Sequence, residues 1–302
     1  MGKSRGARGD RISGVLLLDK PGGMTSNSAL QRARRLLNAA KAGHTGTLDP
    51  MATGLLPLTF GEATKFSADL LNADKSYRAT VRLGVTTSTG DADGVVLERR
   101  TVDVSTADID VVLARFVGAI EQMPPMHSAL KRDGRPLYEL ARAGLEVERA
   151  PRQITVHQLT LVEQCADEFV FDVDCSKGTY IRVLAEEIGR ELGCGAHLSA
   201  LRRTRAGRLC LGDAVGLTAL EAMTPEARRE TLLPEDALLA SLATVQLDDV
   251  LAGRFRQGQR LALDAEPRGR RVRVYGRTNE LLGTATINEW GVVEPERLIT
   301  SS

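Results

Sequence analysis

The chain has 302 residues, with 40 Lys and Arg against 39 Asp and Glu, so its formal net charge is +1. This balance excludes an overall basic surface, although a basic face can coexist with a neutral total. Hydrophobic residues make up 42% and charged residues 26%, as in an ordinary globular protein with a buried core. The length allows two domains, or one large domain with an appendage.

Cysteine spacing and the length of apolar runs exclude further classes. The four cysteines are far apart and form no Cys-x-x-Cys pair, which argues against a zinc site and against a disulfide framework. We expect them to be small core residues in a reducing compartment. No apolar run reaches membrane-spanning length, and the start lacks the apolar segment of a signal peptide. These features predict a cytoplasmic protein without a membrane span.

The N-terminal part predicts a short tail, a strand and a helix. Residues 1–11 are small, polar and basic, and are predicted to be disordered, either as a phosphate-seeking arm or as a solvated tail. Residues 14–22 predict a buried strand that ends in a Pro-Gly turn. Ser26 is predicted to cap the next helix. That helix has apolar residues at helical spacing, namely Leu30, Ala33, Leu37 and Ala40.

The most unusual stretch runs from Gly43 to Leu58 as Gly-His-Thr-Gly-Thr-Leu-Asp-Pro-Met-Ala-Thr-Gly-Leu-Leu-Pro-Leu. Its glycines and prolines constrain the backbone, and Asp49 is the one acidic residue between Lys20 and Gly61. A rigidly presented carboxylate suits a nucleophile or a general acid or base. Asp before Pro also commonly starts an ordinary turn. A phosphate-binding loop is disfavoured, because the Gly-Lys-Ser/Thr ending is missing.

This stretch resembles the catalytic loop of the TruB family, the bacterial tRNA pseudouridine-55 synthases. The resemblance implies an enzyme that isomerises uridine to pseudouridine in the T-loop of tRNA, with Asp49 at its centre. It implies that His44 meets the RNA around the displaced base. Asp19-Lys20-Pro21 followed by Thr25-Ser26 is also similar to the family. There the lysine supports the loop, so Lys20 is a secondary candidate; an exposed lysine at a strand end is the alternative.

Residues 75–84 alternate as a strand, and Tyr77 shares one face with Ala79, Val81 and Leu83. A core tyrosine with a partnered hydroxyl is one interpretation. The resemblance implies instead that Tyr77 stacks on the target base, since a base removed from its helix needs a surface that replaces the lost stacking. Tyr77 is also our candidate for the group that takes the proton from carbon 5 of the base.

The middle of the chain predicts a polar loop, a helix and an insertion. Asp91 and Asp93 lie in the loop, but without the glycine and glutamate of a calcium loop they predict no metal site. Residues 107–121 predict a helix. Residues 123–152 carry prolines and many basic residues. The resemblance implies a mobile thumb that closes over the RNA hairpin; a solvated surface insertion is the alternative.

Residues 169–175 predict a strand, and a helix follows in which Arg182 lies in the first turn. The helix dipole disfavours a cation there, so we expect a partner carboxylate. Lys-Gly-Thr-Tyr-Ile-Arg is again similar to the family. This implies that Arg182 pairs with Asp49 and that Tyr180 lines the uridine pocket. Such a pair would keep Asp49 ionised; an ordinary surface ion pair of Arg182 is the alternative.

Residues 197–208 hold four arginines and no acid. Such clusters are usually solvated, but the resemblance implies that Leu201 contacts the base and that the arginines, among them Arg202, meet backbone phosphate. Residues 220–249 predict an acidic helical linker. Beyond residue 246, eight arginines between Arg254 and Arg277 oppose only Asp264 and Glu266. Short strands with glycine turns there predict a small β-barrel that resembles the PUA-type RNA-binding module.

Together these features predict an α+β pseudouridine synthase fold, with a mixed, mainly antiparallel central sheet flanked by helices and a small C-terminal PUA-like β-barrel. The expected domains are a tail (1–11), a catalytic domain (12–245) with a thumb-like insertion at about 123–152, and an RNA-binding domain (246–302). The expected reaction is base flipping and isomerisation of uridine 55, without cofactor or metal. The expected partner is the T-arm stem-loop of tRNA, bound by a monomer that needs no protein partner.

Two other functions compete with this one. An RNA-binding or RNA-folding protein would use the thumb and the arginines equally well, but it has no reason to keep Asp49, Tyr77 and Arg182 together. A synthase that acts on another RNA, including guide-dependent relatives, shares Thr-Leu-Asp-Pro; the preceding Gly-His and the thumb favour the stand-alone type. The chemical role of Asp49 stays open between attack on the sugar carbon, attack on the base ring and removal of a sugar proton.

Overall fold

The computed structural model describes residues 9–300 except 129, 133, 143 and 146. Residues 1–8 of the predicted tail lie outside this range. Asp10 pairs with Ala39 in an isolated β-bridge, and its carboxylate accepts a hydrogen bond from Arg229 at 2.7 Å. The predicted domain boundaries stay predictions.

Strands dominate the described part of the chain. Those before residue 243 are β1 (Gly14–Lys20), β2 (Ala42–His44), β3 (Thr53–Phe60), β4 (Lys75–Leu83), β5 (Val85–Thr87), β6 (Val96–Arg99), β7 (Gly118–Gln122), β8 (Lys131–Arg132), β9 (Arg135–Pro136), β10 (Arg152–Cys165), β11 (Glu168–Cys175), β12 (Ala196–Ala206), β13 (Leu209–Cys210) and β14 (Val215–Gly216). Those after it are β15 (Ala243–Gln246), β16 (Leu261–Ala262), β17 (Arg270–Tyr275), β18 (Leu281–Ile287) and β19 (Val292–Leu298).

The helices are short, and most connect or cover strands. They are α1 (Ser26–Leu36), α2 (Ser67–Leu71), α3 (Thr106–Arg115), α4 (Leu137–Arg142), α5 (Ile181–Glu191), α6 (Leu217–Ala222), α7 (Pro225–Glu230) and α8 (Asp249–Arg256). Three 3₁₀ turns span Gly61–Phe66, Leu211–Asp213 and Glu235–Leu239. Among the described residues, no helix has the length and apolar character needed to cross a membrane.

One large sheet runs through the N-terminal two thirds, in the order β14-β1-β3-β12-β4-β11-β10-β7, with β2 beside β3 and β13 beside β12. The β1–β14 and β3–β12 pairs are parallel and the other pairs are antiparallel, as the predicted mixed sheet requires. The parallel pairing of β3 with β12 matters for function, because it joins the end of the Asp49 loop to the arginine-rich strand.

Both faces of this sheet are covered. On β1, Leu16 and Leu18 pack into the main core with helices α1, α3, α5 and α6, whereas Val15 and Leu17 pack into a second core. The second core contains Phe66 and is covered by the 3₁₀ turns and α2. A strand buried on both faces reads as a continuous apolar run, which explains why the sequence of β1 shows no polar alternation.

Two helix predictions need correction. Thr25, not Ser26, caps α1, because the Thr25 hydroxyl accepts a hydrogen bond from the Ser28 amide. The helix predicted over 107–121 ends at Arg115, and the rest of that segment forms β7 as the edge strand beside β10. Gly118 begins β7 with φ of 111°, a left-handed backbone value that ends the helical pattern.

The C-terminal part forms one curled five-stranded sheet in the order β15-β17-β18-β19-β16 around its own small core. Helix α8 was not predicted; the Asp248 side chain caps it by accepting a hydrogen bond from the Leu251 amide. Asp264 and Glu266 are the only acids in the sequence between Arg254 and Arg277, but the arginines of this segment are not left unpaired. Many of them pair with carboxylates from other segments, as in Arg256–Glu280 (2.8 Å) and Arg273–Asp236 (3.6 Å).

Candidate active site

A short turn between β2 and β3 presents Asp49. The Ser26 hydroxyl accepts a hydrogen bond from the Leu48 amide (2.8 Å) and donates one to the Leu48 carbonyl (3.0 Å). The Ala52 amide closes the turn by donating to the Asp49 carbonyl at 3.1 Å. The backbone is therefore fixed on both sides of Asp49, as expected for an Asp-Pro turn. Its carboxylate, however, points to a distant arginine.

Arg182 is that partner. From the first turn of α5, its Nε lies 2.9 Å from Asp49 Oδ2 and 3.4 Å from Asp91 Oδ2. Its Nη1 donates to the Thr89 carbonyl (3.0 Å) and its Nη2 to the His127 carbonyl (2.7 Å). The Arg182 side chain is only 4% exposed, so four groups from three segments converge on one buried guanidinium. The predicted partner carboxylate for Arg182 is confirmed.

The protonation of Asp49 is set by opposing influences. Burial raises the pKa of Asp49 above its usual value, Arg182 lowers it, and the neighbouring Asp91 and Asp93 raise it further. The net direction is upward. Arg182 favours the ionised carboxylate, as expected from the pair, but burial and the two neighbouring carboxylates together outweigh its effect on the pKa of Asp49. Asp49 still reaches solvent, with 42% of its side chain exposed.

Asp49 opens into a cavity of about 500 Å³. The polar side chains that line it include His44, Asp49, Asp91, Asp93, Ser128 and Arg182. His44 Nδ1 is buried without a hydrogen-bond partner among the described residues. Burial lowers the pKa of His44, with a smaller contribution from Arg203, which favours the neutral imidazole. The cavity thus combines three carboxylates, a guanidinium and an imidazole whose neutral form is favoured.

Lys20 lies beneath the turn. Its side chain is 0% exposed and donates to the carbonyls of Pro21 (2.9 Å), Met24 (2.7 Å) and Pro50 (3.3 Å). Burial lowers the pKa of Lys20 to about 8, although Asp49 opposes the shift. This placement fits a support for the catalytic loop and leaves no surface for a substrate contact.

Arg203 supports the same loop from β12. It is 1% exposed, and it donates from Nε to the Leu55 carbonyl (2.7 Å) and from Nη2 to the Gly46 carbonyl (2.8 Å). The interpretation of this arginine as a phosphate contact is wrong, because its guanidinium lies inside the protein. Arg202 points the other way and makes a bidentate pair with Asp19 at 3.1 and 2.7 Å.

The two candidate tyrosines lie beside the cavity and are not part of its lining. Tyr77, half-buried on β4, packs against the main core, and burial raises its pKa while Arg203 opposes that rise. Tyr180 exchanges two backbone hydrogen bonds with the Gln122 side chain, at 2.8 and 3.1 Å. Burial raises the pKa of Tyr180, with the Ser128 hydroxyl acting against it. Leu201 is buried in the main core.

Sequence reasoning missed two site residues, Asp91 and Arg203. Asp91 was considered only as a metal ligand, yet its Oδ1 accepts from Thr89 Oγ1 at 2.5 Å while Oδ2 faces Arg182. A signal for Arg203 was present, because strand alternation places it on the same inward face as Leu201. The lack of nearby acids made the segment look solvated and obscured that alternation.

Metal chemistry has no visible ligand set here. Within the described ranges, no group of His, Cys, Asp and Glu side chains is arranged to hold a metal ion. The cysteine prediction is half wrong, since Cys175 and Cys194 are buried but Cys165 and Cys210 are exposed.

Three family models match the chain in succession. Residues 34–181 match the TruB family pseudouridylate synthase N-terminal domain. Residues 182–240 match the tRNA pseudouridylate synthase B C-terminal domain, and residues 243–299 match the Pseudouridine synthase II TruB C-terminal model.

Curated relatives match over nearly their whole length. The tRNA pseudouridine synthase B of Burkholderia mallei (strain NCTC 10247) is 58% identical over 296 residues, which cover 96% of this chain and 98% of the relative. The protein of the same name from Dechloromonas aromatica (strain RCB) is 56% identical over 289 residues, with 96% of each chain covered.

Solved structures confirm the predicted fold. A chain of a Cbf5-Nop10-Gar1 complex superposes with a TM-score of 0.74 at 28% identity, covering 94% of this chain and 84% of that one. A chain of an H/ACA RNP bound to a substrate RNA containing 2'-deoxyuridine gives 0.73 at 25% identity, covering 99% and 92%.

Proposed function

We propose that this chain, which belongs to the TruB family of pseudouridylate synthases, isomerises uridine 55 in the T-loop of tRNA to pseudouridine. Membership of the family makes the chain an isomerase that forms pseudouridine in tRNA. The position in tRNA, the flipping of the base and the roles of individual residues are our proposal. The observation that carries it is the Asp49 carboxylate, which lies 2.9 Å from Arg182 and lines a solvent-accessible cavity.

The reaction breaks the bond between uracil N1 and the ribose C1', turns the base and joins C5 to the same carbon. C5 loses its hydrogen as a proton and N1 gains one, so the reaction is balanced without redox chemistry. Asp49 supplies the carboxylate that acts in the bond-breaking step. Arg182 holds this carboxylate in place and favours its ionised form, although burial counteracts that preference.

The target base must leave the T-loop before it reaches Asp49, and unstacking costs about a few kcal/mol. Tyr77 provides a stacking surface, and His44 meets the RNA around the vacated position. The raised pKa of Tyr77 makes its phenolate scarce near neutral pH. We therefore assign Tyr77 to stacking on the base rather than to proton transfer. Arg202 is held by Asp19 and meets phosphate only after that pair opens.

We also propose that the protein acts without a guide RNA or a second protein, in the cytoplasm, as a monomer. The curated relatives named tRNA pseudouridine synthase B match this chain over nearly their full length. Cbf5 was solved in complexes with other proteins, and its similarity to this chain concerns the fold.

Pseudouridine mapping on an unmodified tRNA transcript, with the purified protein alone, tests this function. The expected result is conversion of the T-loop uridine and of no other position. A matched transcript with cytidine at that position is expected to stay unmodified. Conversion of another uridine would refute the substrate assignment. Binding without any conversion would leave an RNA-binding protein as the better account.

A further inference from the structure

Ser128 lines the same cavity and has no role so far. It follows β7 on the segment that enters the insertion, and its side chain is 5% exposed. Its amide donates to the Met126 carbonyl at 2.9 Å. The preceding carbonyl, that of His127, accepts from Arg182 Nη2 at 2.7 Å. The backbone at Ser128 is therefore tied directly to the arginine that holds Asp49.

The Ser128 hydroxyl is buried without a hydrogen-bond partner among the described residues. Its polar neighbour is Tyr180; burial raises the pKa of that tyrosine, and Ser128 lowers it by a hydrogen-bonding interaction too weak to satisfy the hydroxyl. Buried hydroxyls are nearly always satisfied, because an unsatisfied one costs folding free energy. An unsatisfied hydroxyl that faces a cavity is therefore a binding group that awaits its partner.

We propose that Ser128 Oγ donates a hydrogen bond to a carbonyl oxygen of the target uracil. This inference rests on the proposed function, since it assigns the occupant of the cavity as the flipped base. Ser128 is then a substrate-binding residue that holds the uracil ring within reach of Asp49.

The symmetry of uracil gives this contact a particular use. A half-turn about the axis through N3 and C6 exchanges N1 with C5, and it also exchanges the C2 and C4 carbonyl groups. A donor that faces one carbonyl before the turn therefore faces the other carbonyl after it. A single hydroxyl can hold the base in both the uridine and the pseudouridine orientation without moving.

A neutral donor also suits the charges in the cavity. Asp49 and Asp91 share the one guanidinium of Arg182 there, and a further cation would lower the pKa of Asp49. A hydroxyl rotates freely to follow its acceptor, which a guanidinium fixed by four contacts does not do.

The test is a single-turnover assay on a synthetic T-arm stem-loop, with wild-type protein, Ser128→Ala and Ser199→Ala. Ser199 is the matched control, because its hydroxyl donates to the Thr80 carbonyl at 3.2 Å outside the cavity. Three substrates carry uridine, 2-thiouridine or 4-thiouridine at the target position, since sulfur is a poorer acceptor than oxygen. Thermal unfolding is recorded for each protein.

With uridine, Ser128→Ala is expected to react about tenfold more slowly, as for the loss of one hydrogen bond to an uncharged group. Its melting temperature should not fall by more than that of Ser199→Ala, which loses an intramolecular hydrogen bond of full geometry. The thio substrate whose sulfur replaces the carbonyl oxygen that Ser128 contacts should react more slowly than uridine with the wild type and with Ser199→Ala. With Ser128→Ala it should react as fast as uridine does. An unchanged rate for Ser128→Ala, or a thio effect equal in all three proteins, overturns this inference. Failure of the wild type on uridine would instead overturn the proposed function.

Discussion

The buried cations around Asp49 and the exposed cations of the C-terminal part are used in opposite ways. Lys20, Arg182 and Arg203 are buried, and most of their hydrogen bonds go to backbone carbonyls of the catalytic loop and its neighbours. In the C-terminal part, Arg256 at the end of α8 and Arg277 in the turn after β17 are exposed and pair with carboxylates, at 2.8 Å to Glu280 and 3.2 Å to Asp249.

The difference teaches where charge shapes function in this protein. Buried cations that bind carbonyls fix the path of the backbone, and their charge acts on neighbouring pKa values because little water screens it. Exposed pairs neutralise each other, are screened by salt and contribute little to stability. Replacing a buried cation should therefore affect stability and nearby pKa values far more than replacing an exposed one.

The largest effect on stability is expected for Arg203→Met. The buried Leu55 carbonyl and the half-buried Gly46 carbonyl lose their donor, which should lower the free energy of unfolding by about 2–4 kcal/mol. Urea denaturation measures the change. Arg202→Met is the matched control on the same strand, where a half-exposed pair with Asp19 is lost and about 1 kcal/mol or less is expected. Equal losses of unfolding free energy in Arg203→Met and Arg202→Met would contradict the contrast between buried and exposed cations.

A pH profile sharpens the comparison next. Lys20 has a pKa of about 8, and its charge is coupled to Asp49. If the ammonium form is needed, the conversion rate should fall by about tenfold between pH 7 and pH 9, as expected for loss of one protonated group. Lys20→Met should convert uridine more slowly than the wild type, and its conversion rate should not change between pH 7 and pH 9. The conversion rate of Lys75→Met should still fall between pH 7 and pH 9, because Lys75 also has a pKa of about 8 but its charge is not coupled to Asp49.

Asp49→Asn should leave stability unchanged or raise it at pH 7.5. The pKa of Asp49 is raised in the folded state, so the ionised carboxylate costs folding free energy above the raised pKa. The cost vanishes below the unfolded value of about 3.9, and the difference in melting temperature should close as the pH falls towards it. Asp19→Asn, which breaks the pair with Arg202, should lower the melting temperature slightly. A clear fall in the melting temperature of Asp49→Asn at pH 7.5 would contradict the destabilising effect assigned to the ionised Asp49 carboxylate.

The smallest effect is expected for Arg277→Gln. Both side chains of the Arg277–Asp249 pair are more than two-thirds exposed, at 72% and 77%. Unfolding in urea should shift by no more than about 0.5 kcal/mol, and less in high salt. A loss above about 1 kcal/mol would show that these pairs matter more than their exposure suggests.

Much of the fold is readable from the sequence. The apolar run of β1, the alternation of β4 and β11 and the stripe of α5 each repeat with the period of the element they form. The partner of Arg182 was predictable too, because a cation in the first turn of a helix needs a carboxylate.

The predictions that failed concern residues whose partners come from distant parts of the chain. Nothing local to Asp91 shows that it turns towards a guanidinium more than 90 positions away, and nothing local to Arg203 shows that a strand neighbour supplies carbonyls for it. The acids that neutralise the C-terminal arginines also come from distant segments; Asp69, for example, pairs with Arg271. Such pairings are set by how the sheet assembles.

The most direct test of the central claim is single-turnover pseudouridine formation by Asp49→Asn with saturating tRNA, alongside its tRNA affinity. If the Asp49 carboxylate acts on the substrate, the rate should fall by about a thousandfold or more while the Kd changes little. Asp93→Asn, which removes a cavity carboxylate that makes no ion pair with Arg182 in the described structure, should stay within about tenfold of wild type. An Asp49→Asn rate within tenfold of wild type would contradict the account.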